Sequence, residues 1–182
     1  MNKGTLFFIN YLIEKYITKK NVDILDVGVG DSMRYSLELS KKYYVNYYEG
    51  LEKNKKEYLK SKRNCVLYNN NINLLNINFL DYNKKKKFDF IIFFNSFHFI
   101  YPYEETFNKA KKLLNKNGVI IIREPLNIPY TWKTNFFNKD SKDFDENKWN
   151  EKTRLLNNAH NFLINKLEYH KFEDKNLFIF IN

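Results

Sequence analysis

The sequence is short of almost everything that stiffens or crosslinks a chain. One cysteine, Cys65, stands among 182 residues. That excludes an internal disulfide and a cysteine-rich zinc site, and a lone thiol suits a reducing compartment. Three prolines and five glycines exclude collagen-like and linker-rich chains. No long hydrophobic run occurs. The most apolar stretch, residues 88–100, is too short to span a membrane and carries Asp89, Asn95, Ser96 and His98. Residues 5–13 are also apolar, but they lack a small-residue cleavage site and run into Glu14 and Lys15. They read as an amphipathic helix, with Phe8 and Leu12 on one face, and not as a signal peptide. These absences predict a soluble, intracellular and cytoplasmic protein.

What the chain does have is aromatic bulk. It is 43% hydrophobic and 18% aromatic, with 17 Phe and 14 Tyr, enough for a sizeable core. Its length suits a single domain. Lys and Arg number 31 against 21 Asp and Glu, a net charge of +10. Such a charge ordinarily points to nucleic acid or an anionic surface. Here the abundance of Lys, Asn, Ile, Tyr and Phe marks an AT-rich coding sequence, which explains much of it. The run Lys84–Lys87 reads as a solvated turn.

Along the chain, helical and strand patterns alternate. A helix is predicted over 5–19, strands over 22–27 and 45–50, and helices over 32–43 and 53–62. A third strand is predicted over 77–80, a fourth over 88–94 and a fifth over 119–122. The helix at 104–115 should end with Gly118 as its C′ residue. A helix over 148–165 and two strands, 166–172 and 176–181, follow. Alternation of this kind predicts an α/β fold, a doubly wound and mostly parallel sheet. The last two strands lie too close for a crossover and should pair antiparallel. The organisation expected is an N-terminal helix (5–19), a ligand-binding core (20–125), a lid (126–147) and a C-terminal helix with a strand pair (148–182). The lid reading rests on Tyr130, Trp132, Phe136 and Phe137, aromatic residues without periodicity beyond the fifth strand.

The sharpest motif is Asp26-Val27-Gly28-Val29-Gly30-Asp31-Ser32. With so few glycines, a Gly-x-Gly pair is expected by chance only about 0.1 times in the chain. It follows a strand and opens a helix, so its glycines can let backbone lie against a ligand. A dinucleotide fingerprint wants a third glycine where Met33 stands. Two flanking acids, Asp26 and Asp31, repel phosphate and suit a ligand with cationic groups. Glu52 lies 22 residues past Gly30, near the offset of an acid that takes ribose hydroxyls. Glu49 competes, but Gly50 before Glu52 should let the backbone approach the sugar. Asp81, after the third strand, can accept from an adenine amino group.

On these residues the chain resembles the class I S-adenosylmethionine (SAM)-dependent methyltransferases, of the type 11/25 kind. The matching stretches are Asp26–Gly30, Glu52, Asp81, the strand Phe88-Asp89-Phe90-Ile91-Ile92, and Leu113 to Ile122 with Gly118. The resemblance implies a seven-stranded Rossmann-like sheet with an antiparallel last strand, and SAM as cofactor. It implies cofactor contacts from Asp26, Gly28, Gly30, Asp31, Leu51, Glu52, Asp81, Tyr82 and Asn95, and no metal. Departures are Asn117 in place of a second glycine before Gly118, Ser32 after Asp31, and a short passage from Asp81 to Phe88. SAM brings an activated methyl donor, so placement does most of the work. If the acceptor must lose a proton, His98 and Glu124 are the acid/base candidates. His160 and His170 read as surface residues.

The acceptor is narrowed by elimination. Asn95-Ser96-Phe97-His98 carries none of the prolines of base amino-methylating enzymes. Cys65 does not follow a proline, and no Asp stands after the fourth strand for ribose methylation. A small-molecule acceptor is expected, roofed by Tyr11, Tyr130, Trp132 and Phe136 with Phe8 and Phe137 near them. Two alternatives are an RNA methyltransferase using the basic surface and a non-catalytic scaffold of the same fold. A nicotinamide dehydrogenase fits less well, because of Met33.

Overall fold

The computed structural model describes residues 14–15, 21–31, 33–42, 44–67, 72–125, 146–172 and 175–181. Seven residues, none of them exposed, form β4 (Phe88–Phe94). A strand apolar on both faces must be covered on both sides, and the chain supplies that cover. β1 (Val22–Val27), β2 (Val45–Leu51) and β3 (Asn73–Leu75) run outward on one flank. β5 (Leu114–Pro125), β6 (Glu168–Phe172) and β7 (Lys175–Ile181) complete the other. The seven strands stand in the order β3-β2-β1-β4-β5-β7-β6. β1 to β5 pair parallel, while β7 runs antiparallel to both β5 and β6.

Alternate residues of each strand face different layers. Leu25, Val27, Ile91, Phe93, Ile120 and Ile122 pack beneath α3 (Tyr103–Leu113) and α4 (Glu146–Ile164). Ile24, Phe90, Ile92 and Ile121 pack beneath α1 (Arg34–Leu39) and α2 (Lys55–Leu67), through Met33, Leu37, Leu39 and Cys65. Each such apolar side chain contributes about 1.5–3 kcal/mol on burial. α3 shows how sequence sets the layer. Tyr103, Thr106, Phe107, Ala110 and Leu113 fall on one stripe and are buried. Glu104 and Glu105 sit in its first turn, with Lys111 and Lys112 in its last, the signs that the helix dipole favours.

Several element boundaries differ from those predicted. The third strand is residues 73–75, pairing Asn73–Leu75 with Glu49–Leu51, and not 77–80. The apolar run there turns instead into a 3₁₀ helix, Phe79–Asp81, in which Asn78 accepts from the Leu80 N–H. Phe79 drops into the core edge-on to Phe93, 5.5 Å between ring centres. A short apolar run has no period to tell strand from turn. The helix predicted over 32–43 is only Arg34–Leu39, preceded by Met33 in the left-handed region at φ 47°. α3 stops at Leu113, so Gly118 is not its C′ residue. Asn117 takes the left-handed conformation, at φ 63°. Gly118 lies within β5, where a Cβ would press to 3.0 Å on the Asn115 carbonyl and the Leu114 side chain. His160 is buried on α4 against Phe178, not at the surface. Of the predicted N-terminal helix, Glu14 and Lys15 are helical, and the rest lies outside the described residues. So do residues 126–145, most of the expected lid. No described helix is long and apolar enough to cross a membrane.

Candidate functional site

The sheet reverses its direction of growth between β1 and β4, and α/β sheets bind ligands in the crevice at such a point. A cavity of about 720 Å³ opens there, at the carboxyl ends of β1, β2 and β4. That volume suits a nucleoside-sized ligand. Asp26, Gly28, Gly30, Asp31, Leu51, Glu52 and Asn95 all stand on its wall. The sequence places these residues far apart, and the fold brings them together.

Its floor is the glycine turn. Gly28 has φ +77° and Gly30 φ +65°, a region that residues with a Cβ enter at a cost. A Cβ on Gly28 would fall 2.6 Å from the Ser96 Cβ. Ser96 itself reaches across the crevice to donate to the Val27 carbonyl, tying β4 to β1. A Cβ on Gly30 would meet nothing within 4 Å. Side chains of β2 and α2 hold the turn. Glu52 Oε2 accepts from the Gly30 N–H at 3.0 Å, and its Oε1 accepts from the Asn54 N–H at 2.8 Å. Ser61 donates to the Gly30 carbonyl. Asn64 donates to the Asp31 carbonyl, and Lys60 pairs with the Asp31 carboxylate at 3.0 Å. The latter pair is half exposed and adds little stability.

Asp26 is the most unusual group. It is 1% exposed. Its Oδ2 accepts from Ser36 at 2.5 Å and from Tyr48 at 2.7 Å. Its Oδ1 is buried with no hydrogen-bond partner among the described residues. Burial pushes the carboxyl up to about 6, against the pull of those two hydroxyls, and the Glu52 charge adds to the rise. A buried carboxylate oxygen without a donor is a place for a donor from a ligand.

Glu49 of β2 and Glu52, one residue past its end, separate cleanly. Glu52 is on the cavity wall. Glu49 points to the opposite layer, where Tyr47, Tyr82, Asn73 and Lys84 surround it. Burial alone would raise its carboxyl; the Lys84 ammonium and the hydroxyls of Tyr47 and Tyr82 overcome that and hold it below the usual range. Gly50 makes room for Leu74 and Val29, whose side chains would lie 2.8 and 2.9 Å from its Cβ, and not for a ligand.

The structure does not bring four sequence-predicted residues to the cavity. Asp81 is exposed, six residues beyond the end of β3, because the strand ends earlier than the pattern suggested. Tyr82 is buried on Glu49, 2.5 Å from its carboxylate. Ile77, Asn78 and Phe79 take that part of the wall. His98 and Glu124 lie buried behind it. Glu124 Oε2 meets His98 Nδ1 at 2.7 Å, and Oε1 accepts from the His98 N–H at 3.3 Å. This pair fixes the turn that sets Phe99 and Ile100 on the wall. His160 lies near both groups; burial pulls its imidazole below the usual range, against the pull of Glu124. Tyr11, Tyr130, Trp132 and Phe136 lie outside the described residues, as do Phe8 and Phe137. Among the described residues, no three His, Cys, Asp or Glu side chains gather as a metal site.

Wall residues that the motif reading passed over are Tyr35, Phe94, Ser96 and Lys152, with Arg123 from the end of β5. None has a spacing that marks it. Only the positions of Ser96, just past β4, and of Arg123, at the carboxyl end of β5, could have flagged them.

A parallel sheet reversed at one flank, with a positive-φ glycine turn and acids around the crevice, defines the Rossmann-like class that binds adenosine-containing cofactors. A family model described as a methyltransferase domain matches residues 7–171. The chain belongs to that family, the SAM-dependent class I methyltransferases. No curated protein sequence matches it. Among solved structures, a Staphylococcus aureus protein assigned as a caffeoyl-CoA O-methyltransferase aligns with a TM-score of 0.69 at 18% identity, over 100% of this chain and 84% of that one. Coclaurine N-methyltransferase, bound to N-methylheliamine and S-adenosylhomocysteine (SAH), aligns at 0.56 and 15%, over 65% of this chain and 35% of that one. The [4+2]-cyclase SpnF aligns at 0.57 and 12%, over 65% and 44%. The chain thus spans less than half the length of the last two, and these likenesses establish the fold.

Proposed function

We propose that this chain transfers a methyl group from SAM to a small-molecule acceptor, acting as one domain. The observation that carries this reading is Asp26, a buried carboxylate with one oxygen lacking a donor, beside a glycine turn that leaves backbone open to the cavity. SAM supplies a cationic sulfonium that activates its methyl group, an ammonium, and a ribose with two hydroxyls.

The residues present fit those groups. Asp26 Oδ1 accepts from the ammonium. Glu52 has lone pairs beyond the two bonds to backbone, and these accept from ribose hydroxyls. Leu51, Asn78 and Phe79 line the part of the cavity that would take the adenine, the first and last as apolar surface and Asn78 as a polar group. Asn95, with φ 56° just past β4, lines the cavity and would help hold the methionine end. The His98–Glu124 pair serves as a positioning device, holding Phe99 and Ile100 against the cavity and so setting the wall that the acceptor meets. Catalysis then consists of holding two reactants at near-attack distance in a site that excludes water. Tyr11, Tyr130, Trp132 and Phe136 complete the acceptor side in this reading. A small acceptor is supported by the absence of the base- and ribose-methylation motifs after the fourth strand. An intracellular, cytoplasmic setting is supported by the single Cys65, buried and free.

The test has two stages. Calorimetry with SAH on the folded chain should show binding. Methyl-labelled SAM, incubated with the chain and with metabolite, RNA and protein fractions of an extract, should then label the metabolite fraction. Label in RNA alone would overturn the small-molecule reading. Binding without label in any fraction would leave a cofactor-binding protein that does not transfer methyl groups.

A further inference from the structure

One short helix ties the two walls of the cavity together. On α1, Ser36 donates to Asp26 of β1 at 2.5 Å. The residue before it, Tyr35, lies against the ends of β4 and β5. Its ring packs on Phe94, ring centres 5.1 Å apart. The Arg123 guanidinium carbon lies 5.1 Å from the ring centre, a cation–π distance. These contacts hold the ring and leave the hydroxyl unused. Tyr48, Tyr82 and Tyr103 each donate their hydroxyl to a protein oxygen, as tyrosines inside a protein usually do. Tyr35 is half-buried and lines the cavity, yet no described residue hydrogen-bonds to its hydroxyl. Asn95, also on the cavity wall, stands beside the same guanidinium. Arg123 NH1 donates to Asn95 Oδ1 at 3.1 Å. An arginine only donates, so that bond fixes the carboxamide: its oxygen is taken, and its Nδ2 is left as a donor. Among the described residues nothing accepts from Nδ2. The left-handed backbone of Asn95, whose N–H donates to the Arg123 carbonyl at 2.7 Å, keeps the side chain in place.

We propose that the Tyr35 hydroxyl and the Asn95 Nδ2 form a donor pair that binds the methyl acceptor through an oxygen atom. This inference rests on the methyltransferase reading above and names its substrate class. In that reading Glu52, Leu51, Asn78 and Phe79 take the ribose and adenine, so the β4–β5 end of the cavity is left to the acceptor. The acceptor is then a small molecule with a hydroxyl or carbonyl oxygen at or beside the atom that takes the methyl group. A free amine sets donors against the Asn95 donor and leaves it unpaired, which weakens binding about tenfold. In the transfer, the electron pair of the acceptor atom forms the new bond to the methyl carbon. The carbon–sulfur pair stays with sulfur, giving SAH, and the proton of the acceptor passes to water.

Tyr35→Phe tests the pair, because it removes the hydroxyl and keeps the ring on Phe94 and Arg123. The full-length wild type and Tyr35→Phe are titrated with SAH by calorimetry. Each is then incubated with methyl-¹³C SAM and a dilute metabolite fraction of an extract, and the methylated product is identified by NMR. The wild-type product should carry its new methyl on an oxygen, or on a carbon next to an oxygen-bearing carbon. Tyr35→Phe should keep SAH affinity within about twofold, keep its thermal midpoint, and form that product about tenfold more slowly. At saturating SAM, Asn95→Asp, which gives Arg123 an oxygen but replaces the donor, should slow the same product by a similar factor. A methyl on an amine nitrogen would overturn the pair. So would wild-type rates in either variant. A loss of SAH affinity in Tyr35→Phe as large as its loss of rate would also overturn it, by moving Tyr35 to the cofactor side. In each of those outcomes methyl transfer itself stands. A wild type that binds SAH and methylates nothing would instead overturn the methyl-transfer reading, and this inference with it.

Discussion

On the β1–β2 side of the cavity, side chains hold the backbone of the glycine turn; on the β4–β5 side, Arg123, Asn95 and Tyr35 hold one another. Glu52, Ser61 and Asn64 hold the N–H or carbonyl groups of the glycine turn. Across the crevice, Arg123 bonds the Asn95 side chain and stacks on Tyr35. The difference follows from the local sequence. A turn with positive φ at Gly28 and Gly30 has few side-chain atoms, so its polar groups need partners from β2 and α2. The ends of β4 and β5 keep their side chains and can present them to a ligand. One wall therefore offers mostly backbone to the cavity, and the other offers side chains.

The two walls meet at Gly28, and breaking that meeting should have the largest effect. Gly28→Val combines a positive φ with a Cβ 2.6 Å from the Ser96 Cβ. Ser96 cannot retreat without losing its bond to the Val27 carbonyl. The expected outcome is loss of SAH binding by more than about 100-fold, with destabilisation of about 2–4 kcal/mol. Calorimetry and a denaturant titration check the two parts. Wild-type affinity in this variant would mean that ligand does not approach the turn.

Asp26 sharpens the comparison through pH. Its carboxyl titrates near 6 because burial penalises the anion. The raised value means that the folded chain holds more protons than the unfolded chain between about pH 4 and 6. Asp26 therefore costs stability as pH rises through that window, on the order of 2 kcal/mol. Binding of a cationic ligand group runs the other way. It needs the anion, so SAH affinity should rise about tenfold from pH 5 to pH 7.5 and level off above it. Asp26→Asn should bind about 30-fold more weakly at pH 7.5, with a flat profile over the same range. Its unliganded stability should fall less steeply between pH 4 and 7 than that of the wild type. A wild-type slope retained in Asp26→Asn would assign the titration to another group.

Glu52→Gln tests the backbone-holding wall at one hydrogen bond. The carboxylate accepts from two N–H groups, of Gly30 and Asn54. An amide offers one oxygen and sets an NH2 against the second donor. An N–H left facing a donor costs about 1–3 kcal/mol. SAH affinity should fall about tenfold, with a smaller drop in thermal midpoint. A ligand stripped of its ribose hydroxyls should lose less than SAH does on going from wild type to variant.

How much of this was legible in the sequence follows from where information is local. The strand of 22–27 and its glycine turn could be read because rare glycines, an acid and an apolar run coincide within ten residues. The strand at 88–94 could be read because every residue but Asp89 is apolar. The third strand could not. Asn73–Leu75 is three residues long and earns its place by pairing with β2, while the more apolar 77–80 turns under Phe93. Asp81 was misplaced by that one shift. Glu52 reaches the cavity and Glu49 does not because residues 49 and 52 lie on opposite faces, while the space at Gly50 is filled by Leu74 and Val29. His98, Glu124 and His160 carry no local mark of burial, and only the packing of α4, which carries His160, makes them a buried cluster. Arg123 became notable only when the left-handed Asn95 was seen to hold it.

The smallest effect on binding is expected at Glu49, three residues from Glu52 and on the other face of the sheet. Glu49→Gln should leave SAH affinity within about twofold of wild type, since no Glu49 contact reaches the cavity and distant sites act independently. Its effect belongs to stability. Lys84, Tyr47 and Tyr82 hold the carboxyl below its usual range despite burial. A depressed carboxyl contributes stability that is present above its unfolded value and lost as pH falls through the folded one. Lys84 is partly exposed, so solvent screens the ion pair, and the loss at pH 7 should be about 1 kcal/mol. The gap between wild type and Glu49→Gln should begin to close as pH falls below the ordinary glutamate range and close fully only below the lowered folded value. Denaturant titrations at pH 7, 5 and 3.5 measure that closing. A constant gap across the three values would assign the effect to lost packing and hydroxyl bonds, and a binding defect as large as that of Glu52→Gln would join the two layers that the sheet separates.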